Sequence, residues 1–144
     1  MFSKILLCSD GSEGALAAAR VAVEVARLHG AELTMIHVCT VPPVAAPFPG
    51  APEFASSLLD RYVEDLHMAV VKRTMPIARE ADVACHVLLE VGEPVAVISR
   101  TTDRCGFDLV VMGCRGTHAD QRPVLGSVSQ GVVQRAHCPV LIVK

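Results

Sequence analysis

The residues best suited to chemistry lie between Asp108 and Ala136. Gly113, Gly116 and Gly126 punctuate a polar stretch, with two residues between the first pair and nine before the third, and Ser127 follows directly. Ahead of them, Leu109-Val110-Val111-Met112 is a short unbroken apolar run, the pattern of a strand buried on both faces. Behind them, Ser127 and Gln130 stand three apart and read as a capping box, which predicts a helix starting at Ser127. Strand, glycine-rich loop and helix N-terminus together aim backbone N–H groups at an anion. The glycines allow close backbone approach, and the helix dipole favours negative charge there by about 0.3–1 kcal/mol. The chemistry implied is phosphate binding, with Gly113, Gly116, Gly126 and Ser127 as the contact set and Val128 offering a further N–H. The Ser127 hydroxyl has two uses open to it, phosphate contact or capping of the helix, and the backbone donors serve the ligand in both cases.

The loop matches neither G-x-x-x-x-G-K-[ST] nor G-x-G-x-x-G, so a Walker-type NTPase and a dinucleotide dehydrogenase both lose support. Chance places this spacing in such a chain about once in two hundred trials at a glycine frequency of roughly 7%. Its position between a strand and a helix start argues further against accident. Arg115, His118 and Arg122 are the cations of the loop; one of them is a candidate to pair with a terminal phosphate, although exposed loop charges usually do nothing so specific. A catalytic apparatus is harder to find. No carboxylate pair, Ser/His/Asp set or H-E-x-x-H spacing emerges, so the catalytic set is read as none. Cys85-His86 and His137-Cys138 are sequence neighbours, which puts their side chains on opposite faces of a strand and opposes joint metal ligation.

Composition narrows the partners. With 144 residues the chain is read as one domain, 1–144, long enough to bury about two-thirds of its unfolded surface. Thirteen Lys and Arg against fifteen Asp and Glu leave a formal charge of −2. Without a basic run, and with few aromatics, no nucleic-acid partner is expected. Nor is a membrane partner: MFSKILLCSDGS reads as a strand running into Asp10 rather than a signal peptide, and the expected location is cytoplasmic. The six cysteines contain no C-x-x-C pair and read as reduced thiols, with Cys114 set apart as a candidate redox sensor because it lies in the loop beside Arg115.

Several elements must hold these residues in place. Ile5 to Cys8 reads as the first strand, and the following helix carries Leu16, Ala19, Val23 and Ala26 on one face and stops at Gly30. Leu33 to Cys39 is a second strand, completing a β-α-β unit and hence a parallel sheet. The proline-rich residues 41–52 form a loop too long for a simple connection, either a flap beside the site or a surface excursion. Phe54, Leu58, Tyr62, Leu66 and Val70 recur at intervals of four and predict an amphipathic helix packed on the sheet, which Pro76 should end or kink. A third strand spans Cys85 to Val91, a helix starts at Gly92-Glu93-Pro94, and Pro139 to Val143 is the fifth strand. The pattern is an α/β, single-domain, doubly wound fold of five mainly parallel strands with helices on both faces. Ligands of such sheets bind beyond the carboxyl ends of the strands, where Asp10 and the loop from Gly113 both lie. Asp10 has capping of the first helix as its alternative role. The apolar fifth strand reads as an open sheet edge, which predicts a homodimer through that C-terminal strand.

The spacing G-2x-G-9x-G-[ST] resembles the nucleotide-binding signature of the universal stress protein family, ATP-binding branch. The resemblance extends along the chain, through Lys4-Ile5-Leu6-Leu7 with Asp10-Gly11-Ser12, Ala31 to Val38, and Cys138 to Val143. It implies the strand order 3-2-1-4-5, with Asp10 and the glycine loop facing one crevice. It implies ATP or another adenine nucleotide, with Mg, as the cofactor. Met112 and the backbone around Val38 would enclose the adenine, and Asp10 would lie near the ribose or a phosphate-bound Mg. It also supports self-association through the last strand. Two positions depart from the family pattern: Cys8 stands where relatives often carry proline, and Asp120-Gln121-Arg122-Pro123 makes the spacer polar and kinked. The function expected is an ATP-binding stress-response regulatory or signalling module with little or no turnover. The alternatives are an interaction protein of the same fold that binds no nucleotide, or a slow ATPase.

Overall fold

The structure is a computed structural model that describes residues 1–41, 49–50, 53–115 and 125–144. Lys4–Cys8 forms β1, Glu13–His29 α1, Glu32–Cys39 β2, Glu53–Glu80 α2 and Cys85–Val91 β3; Pro94–Cys105 forms α3, Leu109–Gly113 β4, Ser127–Arg135 α4 and Val140–Val143 β5. Local signals account for most of the boundaries. Ser12 caps α1 by accepting from the Ala15 N–H, and Gly30 closes it in the left-handed conformation at φ 63°. Glu93 caps α3 by accepting from the Val95 and Ala96 N–H groups, with Pro94 in the first turn.

The strands form one sheet in the order β3-β2-β1-β4-β5, and all four pairings are parallel. Cys8 is in register with Ile36 on one side and Met112 on the other. The chain runs outward from β1 to β2 and β3, then returns to the far side of β1 as β4, so the switch in direction lies between β1 and β4. Alternate strand residues feed two cores. Ile5, Leu7, Leu33, Met35, Leu109 and Val111 pack under α1 and α2, with Ala18, Ala22 and Ala26 letting α1 come close. Leu6, Cys8, Ile36, Val110 and Met112 pack under α3 and α4, against Val97, Ile98 and Val132. Asp108 ties the strand starts together: its carboxylate accepts the Ser3 and Lys4 N–H groups at 2.7 and 3.0 Å. Burial pushes its pKa up, but these backbone donors outweigh that and leave it below the usual carboxylate value.

The face that α2 buries is not the expected one. Leu58, Tyr62 and Leu66 are 58%, 53% and 37% exposed, and the residues this helix buries are Val63, Val70, Thr74 and Ala78. A strict interval of four gains about 40° of rotation per step on a helix of 3.6 residues per turn, so a row of fours walks off the core face. The buried positions are spaced by seven, four and four residues, and the expected row meets them only at Val70. Pro76 does not end the helix, which continues to Glu80. The six cysteines are free thiols, as expected, and burial pushes the Cys8 pKa up to about 12 and that of Cys85 to about 11. No helix among the described residues is long and apolar enough to cross a membrane. The proposed flap falls mostly on residues 42–48 and 51–52, which lie outside the described residues.

Candidate functional site

The tips of β1 and β4 adjoin because the two strands pair up to Cys8 and Met112. Beyond β1 the chain turns sharply. Gly11 sits at φ 76°, its N–H donates to Ser9 Oγ, and the Ser9 hydroxyl shares a 2.8 Å hydrogen bond with Thr74 of α2. Asp10 Oδ1 accepts the Ser12 N–H at 3.0 Å, so the carboxylate shapes the turn, while the α1 cap is Ser12. The capping alternative for Asp10 is thereby overturned: a residue two positions before the cap reaches the Ser12 amide rather than those of the first helical turn.

Beyond β4 the backbone passes against the first turn of α1. A Cβ added to Gly113 would lie 2.8 Å from the Gly14 carbonyl carbon, and one added to Gly14 would lie 2.9 Å from the Arg115 oxygen. Two glycines from distant parts of the chain therefore let the tip of β4 and the start of α1 touch backbone to backbone. Sequence reading found Gly113 and missed Gly14, because Gly14 lies inside an otherwise ordinary helix pattern and only the packing reveals its partner. Cys114 continues the sheet edge by donating its N–H to the Val143 carbonyl at 2.8 Å.

The far end of the loop is fastened to the near end. The Cys114 carbonyl accepts both the Gly126 N–H at 2.9 Å and the Ser129 hydroxyl at 2.8 Å, and Ser129 Oγ also lies 2.9 Å from the Gly126 oxygen. This corrects the predicted capping box. Gly126 is the N-cap, Ser127 is the first helical residue without a side-chain cap bond, and the Gln130 N–H donates to the Gly126 carbonyl. The helix starts one residue earlier in register than the Ser127–Gln130 pair implied, so the serine that fastens it is Ser129, 3% exposed. The amides of Ser127 and Val128 belong to the first turn, whose N–H groups have no intrahelical acceptor. The Gly126–Cys114 bond keeps that turn near the end of β4, the strand that pairs with β1, from which the chain runs into Asp10. Gly116, His118 and Arg122 lie outside the described residues.

Met112 is 5% exposed and packs in the core under α3 and α4, and Val38, in register with Glu90, lies partly buried on the same face. Between them on the other face, His37 stacks on His67 of α2 with ring centroids 5.7 Å apart and planes 5° apart. Both Nδ1 atoms are buried without a hydrogen-bond partner. Burial holds the His37 pKa below the usual value, His67 adds to this, and Asp10 opposes it; burial also lowers that of His67. This pair was absent from the sequence reading, because nothing in the spacing of residues 37 and 67 signals that β2 and α2 bring them face to face. Among the described residues no group of three or more His, Cys, Asp or Glu side chains is arranged to hold a metal ion. The site offers main-chain donors and one carboxylate, a set suited to a polyanion and to any cation it carries.

Comparison with known proteins gives a consistent result. The model of the universal stress protein family matches residues 1–144. The chain is 38% identical over 144 residues to a universal stress protein of Thermus aquaticus, with 100% of both chains covered. It is 35% identical over 145 residues to one of Methanocaldococcus jannaschii, covering 100% of this chain and 83% of that one. Among solved structures, the universal stress protein UspA from Lactobacillus plantarum superposes with a TM-score of 0.82 at 28% identity, over 99% of this chain and 98% of that one. A universal stress protein in complex with cAMP superposes with a TM-score of 0.71 at 23% identity, over 99% and 97% of the two chains. One from Arabidopsis thaliana with AMP bound gives 0.65 at 19% identity, over 99% and 91%. These last two likenesses are of fold.

Proposed function

Because the chain belongs to the universal stress protein family, we propose that it binds ATP, or another adenine nucleotide, as a stress-response regulatory module with little or no turnover. One observation carries the reading: Gly126, the N-cap of α4, bonds to Cys114 just beyond β4, so α4 starts beside the β4 tip, and β1, which leads to Asp10, pairs with β4. Helix N-termini favour phosphate through unpaired N–H groups and the helix dipole. Ser127 and Val128 then meet phosphate, with Gly113 and Gly126 keeping the backbone close and Gly116 between them. Met112 and the main chain at Val38 bound the adenine. The cAMP and AMP complexes of fold relatives support an adenine ligand. Magnesium typically takes one or two protein carboxylates beside substrate phosphates, and Asp10 meets that requirement. We take the role to be regulatory, and the protein to act in the cytoplasm as a homodimer built through β5.

Isothermal titration with MgATP tests the reading directly. Saturable binding with one nucleotide per chain is expected, and no binding at millimolar ligand removes it. Phosphate release is expected to stay at the level of a protein-free blank. Steady release above the blank would replace the regulatory role with that of an ATPase.

A further inference from the structure

The sheet has a second open edge, which the nucleotide site and the proposed dimer leave unused. Among the described residues β3 pairs with β2 alone. Its seven residues, CHVLLEV, carry neither lysine nor proline, the usual guards of an exposed edge. Leu89 and Val91 are 37% and 51% exposed there. Between this edge and α2 runs an open groove of about 540 Å³. Val87, Leu89 and Val91 form one wall, since alternate residues of a strand share a face, and Val63 and Met68 stand opposite. Asp60 and Glu64 lie one helical turn apart along the α2 wall, and the lining carries no Lys or Arg among the described residues. His67 also faces the groove, with a buried Nδ1 that has no hydrogen-bond partner.

We infer that this groove docks an extended segment of a partner protein, with apolar residues at alternate positions and two arginines or lysines, two positions apart, at one end. Such a segment adds to the free edge of β3 through main-chain hydrogen bonds, and its inward apolar side chains cover Val87, Leu89 and Val91. Two basic residues two positions apart on the segment, about 7 Å along a strand, match the spacing of Asp60 and Glu64. Charge argues against a second copy of this chain as the occupant. A two-fold contact places the same patch against itself, which would set Asp60 and Glu64 opposite their own counterparts. The inference goes beyond the nucleotide reading and does not depend on it, because the residues it uses lie on β3 and α2, not on β4 and α4.

The test uses fluorescence anisotropy of a labelled seven-residue peptide, the length of β3, with the sequence Arg-Ser-Arg-Ser-Val-Ser-Leu. It is titrated with the full chain in the absence of nucleotide. Saturable binding is expected, weakened about tenfold when both arginines are replaced by glutamate. The double variant Asp60→Lys, Glu64→Lys should reverse that preference, and Leu89→Arg should abolish binding; all three positions are exposed, and unchanged circular dichroism melting confirms folding. Equal affinity for the two peptides, absence of saturation, or a charge-reversed variant that still prefers the basic peptide overturns the inference. So does a fall in assembly mass on Leu89→Arg, measured by light scattering, which assigns the edge to self-association.

Discussion

Gly11 and Gly113 are required for different physical reasons, and substitution separates them. Gly11 needs its backbone conformation, at φ 76°, while an added Cβ would find only ordinary contacts at 3.5 Å. Gly11→Ala is expected to lose about 1–2 kcal/mol through left-handed strain alone. Gly113→Ala instead forces a Cβ to within 2.8 Å of the α1 backbone. Overpacking of that kind costs about 1–3 kcal/mol, and because the backbone itself must yield, nucleotide affinity should fall with stability. Urea unfolding of both variants, paired with MgATP titration, checks this; a Gly113→Ala protein as stable as the parent would mean that α1 and β4 part freely. The stacked histidines make a second prediction here. Burial lowers the pKa of both rings from 6.5 in the folded state, so the unfolded chain binds more protons below that pH. Their contribution to stability is full above pH 6.5 and declines as the pH falls through and below it. His67→Phe removes one titrating ring, and its urea midpoint should decline less between pH 7.5 and pH 5.5 than that of the parent. An equal decline in the two proteins would dissociate the pair from acid sensitivity.

The element whose placement matters most to the site is the first turn of α4. Its position depends on Ser129, whose hydroxyl reaches both the Cys114 and Gly126 carbonyls. Ser129→Ala should lower stability by about 1 kcal/mol, the usual net worth of a buried hydrogen bond, and weaken nucleotide binding by loosening the base of the loop. Ser127 makes no capping bond, so Ser127→Ala should leave stability within about 0.5 kcal/mol. Any loss of MgATP affinity in that variant then reports on a hydroxyl–phosphate contact. Reversed stability effects in chemical denaturation would restore Ser127 as the cap. The serine types and the glycine before them were visible in the sequence, but a one-residue register decides which serine caps. That register is set by the Gly126 amide bonding to Cys114 across the loop, an interaction between residues twelve apart that no local motif encodes.

At the level of the molecule, both sheet edges are open and they differ in kind. β5 is four half-buried apolar residues paired only with β4, and antiparallel pairing with its mate is the proposed dimer contact. Light scattering at micromolar concentration should give twice the chain mass of 15.3 kDa, and a monomer mass would count against that contact. β3, flanked by acidic residues of α2, is suited to a different occupant. The strands, the helices and the lie of Asp10 and Gly113 at carboxyl ends were legible from the chain, since apolar periodicity, caps and glycine stops act over a few residues; that those ends adjoin was implied by the family resemblance. Cys85–Val91 was read to the residue for that reason. The buried face of α2, the need for Gly14, the His37–His67 stack and the true α4 cap were not, because each depends on what a distant segment presents. A sequence can state which side chains prefer to leave water, but which surface receives them is settled only when the sheet and its helices have closed on one another.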